Sequence, residues 1–130
     1  KNYFNTYKFY YLNFEDKIAI EKVKIDKNAS NDDIIKNYLD GPINKKRFPS
    51  YFINVKSISG YSVVDGVFII NLNNDGYNII ENMDYNKIKL ISKSIFNTFN
   101  NFDDIIIKDI VIAYDKTITL YNFSFSNIDK

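Results

Sequence analysis

Two pairs of adjacent acids, Asp32–Asp33 and Asp103–Asp104, are the residues with which this chain could begin a hydrolysis. Two carboxylates flanking a scissile bond can act as general acid and as base or nucleophile. Both pairs stand at the ends of expected elements, however, and Asp32–Asp33 has a use at a helix start, where negative charge meets the positive end of the dipole. The rest of the composition gives such chemistry no help. There is no His and no Cys, which removes the commonest general base near neutral pH, the thiolate nucleophile and the usual zinc ligands. The stretch Asn71–Leu72–Asn73–Asn74–Asp75–Gly76 has oxygen ligands on alternate residues before Gly, like the start of a calcium loop. It departs from that pattern at the first position, where Asn replaces Asp, and at Asn82, where a bidentate Glu is required. It is read as a turn leaving a strand. No catalytic residue, cofactor or metal is assigned.

Residues suited to binding are easier to find. Lys45–Lys46–Arg47 beside Phe48 is a compact basic patch and the candidate interaction surface, suited to an acidic partner or anionic headgroups. Its plain alternative, a solvated loop tip, is the stronger reading. Tyr3, Tyr7, Tyr10, Tyr11, Tyr61 and Tyr121 could build a platform for sugar or protein, although strand tyrosines more often pack with a wet hydroxyl. Seventeen basic residues against sixteen acidic ones leave a net charge of +1. That balance lacks the basic excess with which phosphate backbones are bound, so nucleic acid is not expected as a partner.

The elements that must position these residues follow from periodicity. The 130 residues, 45% hydrophobic and 17% aromatic, suit one packed domain over residues 7–125, with a lead-in at 1–6 and a tail at 126–130. Tyr7 to Phe14 and Ile18 to Ile25 predict a first hairpin, the second run changing phase between Ile20 and Val23. Ser30 with Asp33 forms a capping box, Ile34, Ile35, Tyr38 and Leu39 form one apolar helical face, and Gly41–Pro42 stops the helix. A loop covers 43–54. Val55 to Val64, the turn Asp65–Gly66 and Val67 to Leu72 predict a second hairpin, with Gly60 at a bulge or close approach. A connection over 73–84 leads to a helix from Tyr85 to Asn100 with a stripe of Ile88, Ile91, Ile95 and Phe99. Ile105 to Tyr114 and Thr117 to Phe125 are the last strands, joined at Asp115–Lys116. The expected class is α+β, in the order β-β-α-β-β-α-β-β, with two helices packed on one face of a mixed or antiparallel sheet.

This order resembles the GerMN domain family over about residues 8 to 121. The resemblance is carried by the helix end Tyr38–Leu39–Asp40–Gly41–Pro42, the hairpin Val63 to Leu72 around Asp65–Gly66, and the run Ser94–Ile95–Phe96–Asn97–Thr98–Phe99 before the strand Ile107 to Asp115. Phe9–Tyr10–Tyr11–Leu12–Asn13 is similar to the family's first strand. The chain departs in having Asp103–Asp104 where the family has Pro after the second helix. The resemblance implies a ring-building-motif-like module in sporulation or spore germination. It implies a place outside the cytoplasm, anchored as a lipoprotein or by an upstream transmembrane helix, with other proteins of such a complex as partners. The family has no known catalytic residues. The alternative function is a module that binds cell-wall glycan or peptide through exposed tyrosines.

Overall fold

The computed structural model describes residues 3–50, 53–102 and 104–126. The chain runs β1 (Phe4–Leu12), β2 (Ile18–Asp26), α1 (Asn31–Leu39), β3 (Ile58–Val64), β4 (Val67–Leu72), α2 (Asn74–Glu81), α3 (Tyr85–Phe99), β5 (Asp109–Tyr114) and β6 (Ile118–Ser124). The α+β class stands, with two differences in detail. The strands form two sheets, β1–β2 and β3–β4–β5–β6, and a third helix lies in the stretch expected to be a connection.

The four-stranded sheet is mixed. β3–β4 and β5–β6 are antiparallel hairpins, and β4–β5 is the parallel pair that the α2–α3 crossover makes possible. Asp65 and Gly66 both adopt positive φ, as a tight hairpin turn requires, and Asp115 and Lys116 do the same at the other hairpin. The irregularity between Ile58 and Gly60 is the expected bulge. Residues Ile105 to Lys108 are not in β5. Ile105 and Ile107 are buried while Ile106 is exposed, and the N–H groups of Lys108 and Asp109 both donate to Gly66 O, at 2.7 and 3.1 Å. Apolar alternation there marks a segment tucked under the β3–β4 turn, not a ladder.

In the β1–β2 hairpin the phase change has a specific cause. The register is continuous from Phe4↔Asp26 to Leu12↔Ile18, so no bulge shifts it. Instead Glu21 takes the buried position and Ile20 the outer one. The Glu21 carboxylate accepts the N–H groups of Ile43 and Asn44 at 2.9 and 2.8 Å, which compensates its removal from water.

Helix α1 has the complete capping box, Ser30 with Asp33, and its end is marked by Gly41 at φ 93. Helix α2 is capped by Asn73, whose Oδ1 accepts the Gly76 N–H at 3.0 Å. Gly76 is inside that helix because α2 sits tightly on the chain before β3. A Cβ at Gly76 would lie 2.1 Å from Ser57 O. Helix α3 buries Ile88, Ile91, Ile95 and Phe99, as its stripe requires, and also Ser92, Ser94, Asn97 and Thr98.

Helix α3 joins the two sheets. On one side Phe99 stacks on Phe68 of β4 at 5.0 Å. On the other the Tyr10 N–H of β1 donates to Thr98 Oγ1 at 2.9 Å, and Lys87 pairs with Asp16 at 3.3 Å. Between them lies an aromatic nucleus. Tyr38 of α1 stacks on Tyr11 at 4.7 Å and meets Phe9 and Phe99 edge-on at 5.3 Å each. Both hydroxyls tie β1 to α1: Tyr11 Oη donates to Tyr38 O at 2.6 Å, and Tyr38 Oη donates to Tyr10 O at 2.7 Å. Burial pushes the Tyr11 hydroxyl far above its ordinary range, with the neighbouring Tyr38, Glu21 and Asp40 acting in the same direction.

Two outcomes test this packing. Gly76→Ala is expected to destabilise by about 2 kcal/mol or more by urea unfolding, because the clash outweighs the ~1 kcal/mol that Ala ordinarily adds to a helix. Gly60→Ala, where a Cβ meets nothing within 4 Å, is the control and is expected to be tolerated. For Tyr11 the sign is fixed by its raised pKa. The unfolded tyrosine loses its proton near pH 10 while the folded one keeps it, so this contribution is full below pH ~10 and is lost as pH rises above it. Tyr11→Phe is expected to cost about 1–2 kcal/mol at neutral pH and to flatten the fall in stability above pH ~10, measured by denaturant midpoints from pH 8 to 11.5.

Candidate functional site

The basic triplet sits on a fixed turn above β2. Its base is held by Glu21 through the Ile43 and Asn44 N–H groups. Asn44 Oδ1 then accepts the N–H groups of Lys46 and Arg47 at 3.0 and 3.3 Å, an Asx-type turn that presents Lys45, Lys46 and Arg47 to solvent. Phe48 belongs elsewhere. It is fully buried, 5.9 Å from the Tyr11 ring, so it anchors the turn and adds nothing to its outer surface. Arg47 lies over that ring, its guanidinium carbon 4.9 Å from the Phe48 centroid.

The first acid pair is used structurally. Asp33 completes the α1 cap, while Asp32 pairs with Lys36 at 3.1 Å and accepts a hydrogen bond from Tyr61 Oη. Asp104 is exposed, and Asp103 lies outside the described residues. In the calcium-like stretch, Asn73 Oδ1 caps α2, Asn73 Nδ2 donates to Lys56 O at 2.8 Å, and Asn74 Oδ1 accepts Tyr114 Oη. Those oxygens fix a helix start. Among the described residues no group of three His, Cys, Asp or Glu is placed to share a metal ion.

The tyrosines do not gather into one groove. Tyr11 is in the nucleus, Tyr61 stacks on Phe68 at 5.8 Å, and Tyr7 meets Phe102 edge-on at 5.3 Å. Tyr121 stacks on Phe123 of β6 in the other sheet, at 5.7 Å, and Tyr3 is exposed at the start of the described chain.

The hairpin register reveals a surface that composition hides. On the outer face of β1–β2, Lys8 stands directly opposite Lys22, and Lys24 stands opposite Thr6. All three lysines are exposed and none has an ion-pair partner among the described residues. Like charges directly opposed across a ladder are destabilising. Counting pairs back from the Asn13–Lys17 turn, where Asn13 N–H donates to Lys17 O at 2.8 Å, would have placed these lysines together from the sequence.

The same register leaves the outer edge of β1 incomplete. Odd-numbered residues face β2, as the bonds of Asn13 to Lys17 and of Lys27 N–H to Tyr3 O show, so even-numbered residues turn their N–H and C=O groups outward. At Tyr10 both are satisfied, the N–H by Thr98 and the carbonyl by Tyr38. At Thr6 and Lys8 neither has a partner among the described residues. These two positions border an open groove of ≈ 550 Å³, walled by Tyr7, Ile34 and Phe102, with Asn31, Asn101 and the exposed carboxylate of Asp104 at its rim, on the side away from the lysines of the outer hairpin face.

No family model matches this sequence, and no curated protein matches it. Solved structures do. The first GerMN domain of the sporulation protein GerM from Bacillus subtilis superposes with a TM-score of 0.54 at 12% identity, over 95% of each chain. The tandem GerMN domains of the same protein give a TM-score of 0.57 at 14% identity, over 95% of this chain and 45% of that one, so this chain spans less than half of the tandem. A candidate lipoprotein from Clostridium perfringens gives 0.50 at 19% identity, over 93% of this chain and 87% of that one. By these superpositions the fold of this chain is that of the GerMN domain.

Proposed function

We propose that the chain is a protein-interaction module of an extracytoplasmic, membrane-associated complex that serves sporulation or spore germination, and that it carries no catalytic site of its own. The carrying observation is the GerMN fold over 95% of the chain, in a solved structure from a sporulation protein, together with a similar fold in a candidate lipoprotein. No helix of the described residues is long and apolar enough to cross a membrane, so an anchor of this module would lie in another segment. The chemistry of the described surface agrees with binding: Asp33 caps a helix and Asp32 pairs with lysine, while unpaired lysines and open backbone groups are displayed outward. In this reading Lys45, Lys46 and Arg47 form one contact area for a partner.

The alternative, binding of cell-wall glycan or peptide, would need aromatic rings lined up in one cleft. The spread of the tyrosines over both sheets weighs against it.

In the organism that encodes it, loss of this chain is expected to reduce heat-resistant spores or their germination while leaving vegetative growth intact. A photo-crosslinker at Lys46 in the full-length protein is expected to capture a discrete protein partner from sporulating cells. Replacing Lys45, Lys46 and Arg47 together by Ala is expected to weaken that capture while changing stability by no more than about 1 kcal/mol, since the turn is held by Asn44 and Glu21. Normal sporulation and germination without the chain would contradict the reading.

A further inference from the structure

We infer that the outer edge of β1, at Thr6 and Lys8, takes an extended acidic segment of a partner protein by strand addition. This rests on the reading of the chain as a protein-interaction module, and it names the partner's chemistry and the place where it docks.

The hydrogen-bond geometry defines the occupant. A row of outward N–H and C=O groups two residues apart is satisfied in full by another extended backbone. The protein closes this row itself at Tyr10, with two side chains from α3 and α1, and stops there. Beyond that point a groove of ≈ 550 Å³ lies along Asn5 to Lys8, a volume within the ordinary range of ligand clefts. Open edges are a hazard that proteins usually blunt, often with lysine. Here Lys8 stands opposite Lys22 with Lys24 beside them, and Asp26, at the end of β2, is the one acid of that strand on the same face, so the balance is positive and the same device that repels indiscriminate pairing selects a strand of opposite sign.

Side-chain alternation then specifies the partner's pattern. A strand laid beside β1 would place the residues facing Thr6 and Lys8 on the outer face, next to Lys8, Lys22 and Lys24. The residue between them would point inward, to the groove walls of Tyr7, Ile34 and Phe102. The segment that fits alternates acidic and apolar residues. A second copy of this chain does not fit, because pairing two β1 edges would bring three lysines against three.

The test uses the 130-residue chain and blocked peptides of about seven residues, long enough for one strand. In one peptide glutamate alternates with valine and phenylalanine; in the other lysine replaces glutamate. Amide hydrogen exchange followed by NMR is expected to slow by about tenfold or more at Thr6 and Lys8 with the acidic peptide and to stay unchanged with the basic one. The paired change K22E/K24E, on β2 and away from the edge, is expected to weaken the acidic peptide about tenfold and to admit the basic one. T6P removes one outward N–H without touching the β1–β2 ladder and is expected to weaken binding while an unchanged thermal midpoint shows that the chain still folds. Equal binding of both peptides, protection at other amides only, or no protection at millimolar peptide would overturn the inference. If crosslinking at Lys46 captures a partner while the edge amides stay unprotected, the docking mode falls and the functional reading stands; loss of both removes the two together.

Discussion

The two sheets share no hydrogen-bonded ladder, so the domain depends on the aromatic nucleus that joins them. Rings follow one another from Phe48 through Tyr11 and Tyr38 to Phe99, Phe68 and Tyr61, crossing from the 43–48 turn to the hairpin, α1, α3 and the four-stranded sheet. Each such ring pair adds about 0.5–1.5 kcal/mol beyond the area it buries. The bonds from the Tyr11 hydroxyl to the Tyr38 carbonyl and from the Tyr38 hydroxyl to the Tyr10 carbonyl fix α1 on β1 in one orientation, since either hydroxyl left without its carbonyl would be a buried unsatisfied group. Thr98 extends the arrangement by closing the β1 edge at Tyr10 alone and, through its own bond to Ser94 O at 2.8 Å, by staying in its helix while doing so. Ser94 and Thr98 are buried because their hydroxyls bond carbonyls one turn back in their own helix.

Much of this was legible in the sequence because local chemistry agreed with tertiary packing. The Ser30–Asp33 box, the Gly41 stop, the Asp65–Gly66 turn and the stripe from Ile88 to Phe99 are short-range signals that the fold uses unchanged. Helix α2 was not legible. Its eight residues include Gly76 and two Asn, which argue for a turn, and the cap by Asn73, the close approach to Ser57 and the burial of Ile80 are tertiary features that favour the helix. The inward carboxylate of Glu21 was likewise hidden, because its partners are backbone groups of a loop about twenty residues away. Whether hairpins merge into one sheet or form two is a long-range choice that periodicity cannot make.

The candidate site divides the same way. The basic character of Lys45–Lys46–Arg47 was plain, and the structure puts all three in solvent; Phe48 beside them is core, a distinction the spacing does not carry. Lys8, Lys22 and Lys24 are scattered in the sequence and become one surface only through the antiparallel register. Of the acids and asparagines that suggested chemistry, Asp33 and Asn73 are spent on helix starts and Asp32 on Lys36 and Tyr61. What remains open on the hairpin is backbone and positive charge, the two features by which a surface recognises another chain.

The central claim is that the nucleus makes one cooperative unit of two sheets. Native-state hydrogen exchange in low denaturant tests it directly, comparing the Phe9 and Tyr11 amides of the hairpin with those of Ile70 and Ile112 in the four-stranded sheet. The same free energy of opening at all four is the predicted result. A hairpin that opens at a much lower free energy, while Ile70 and Ile112 keep full protection, would contradict it.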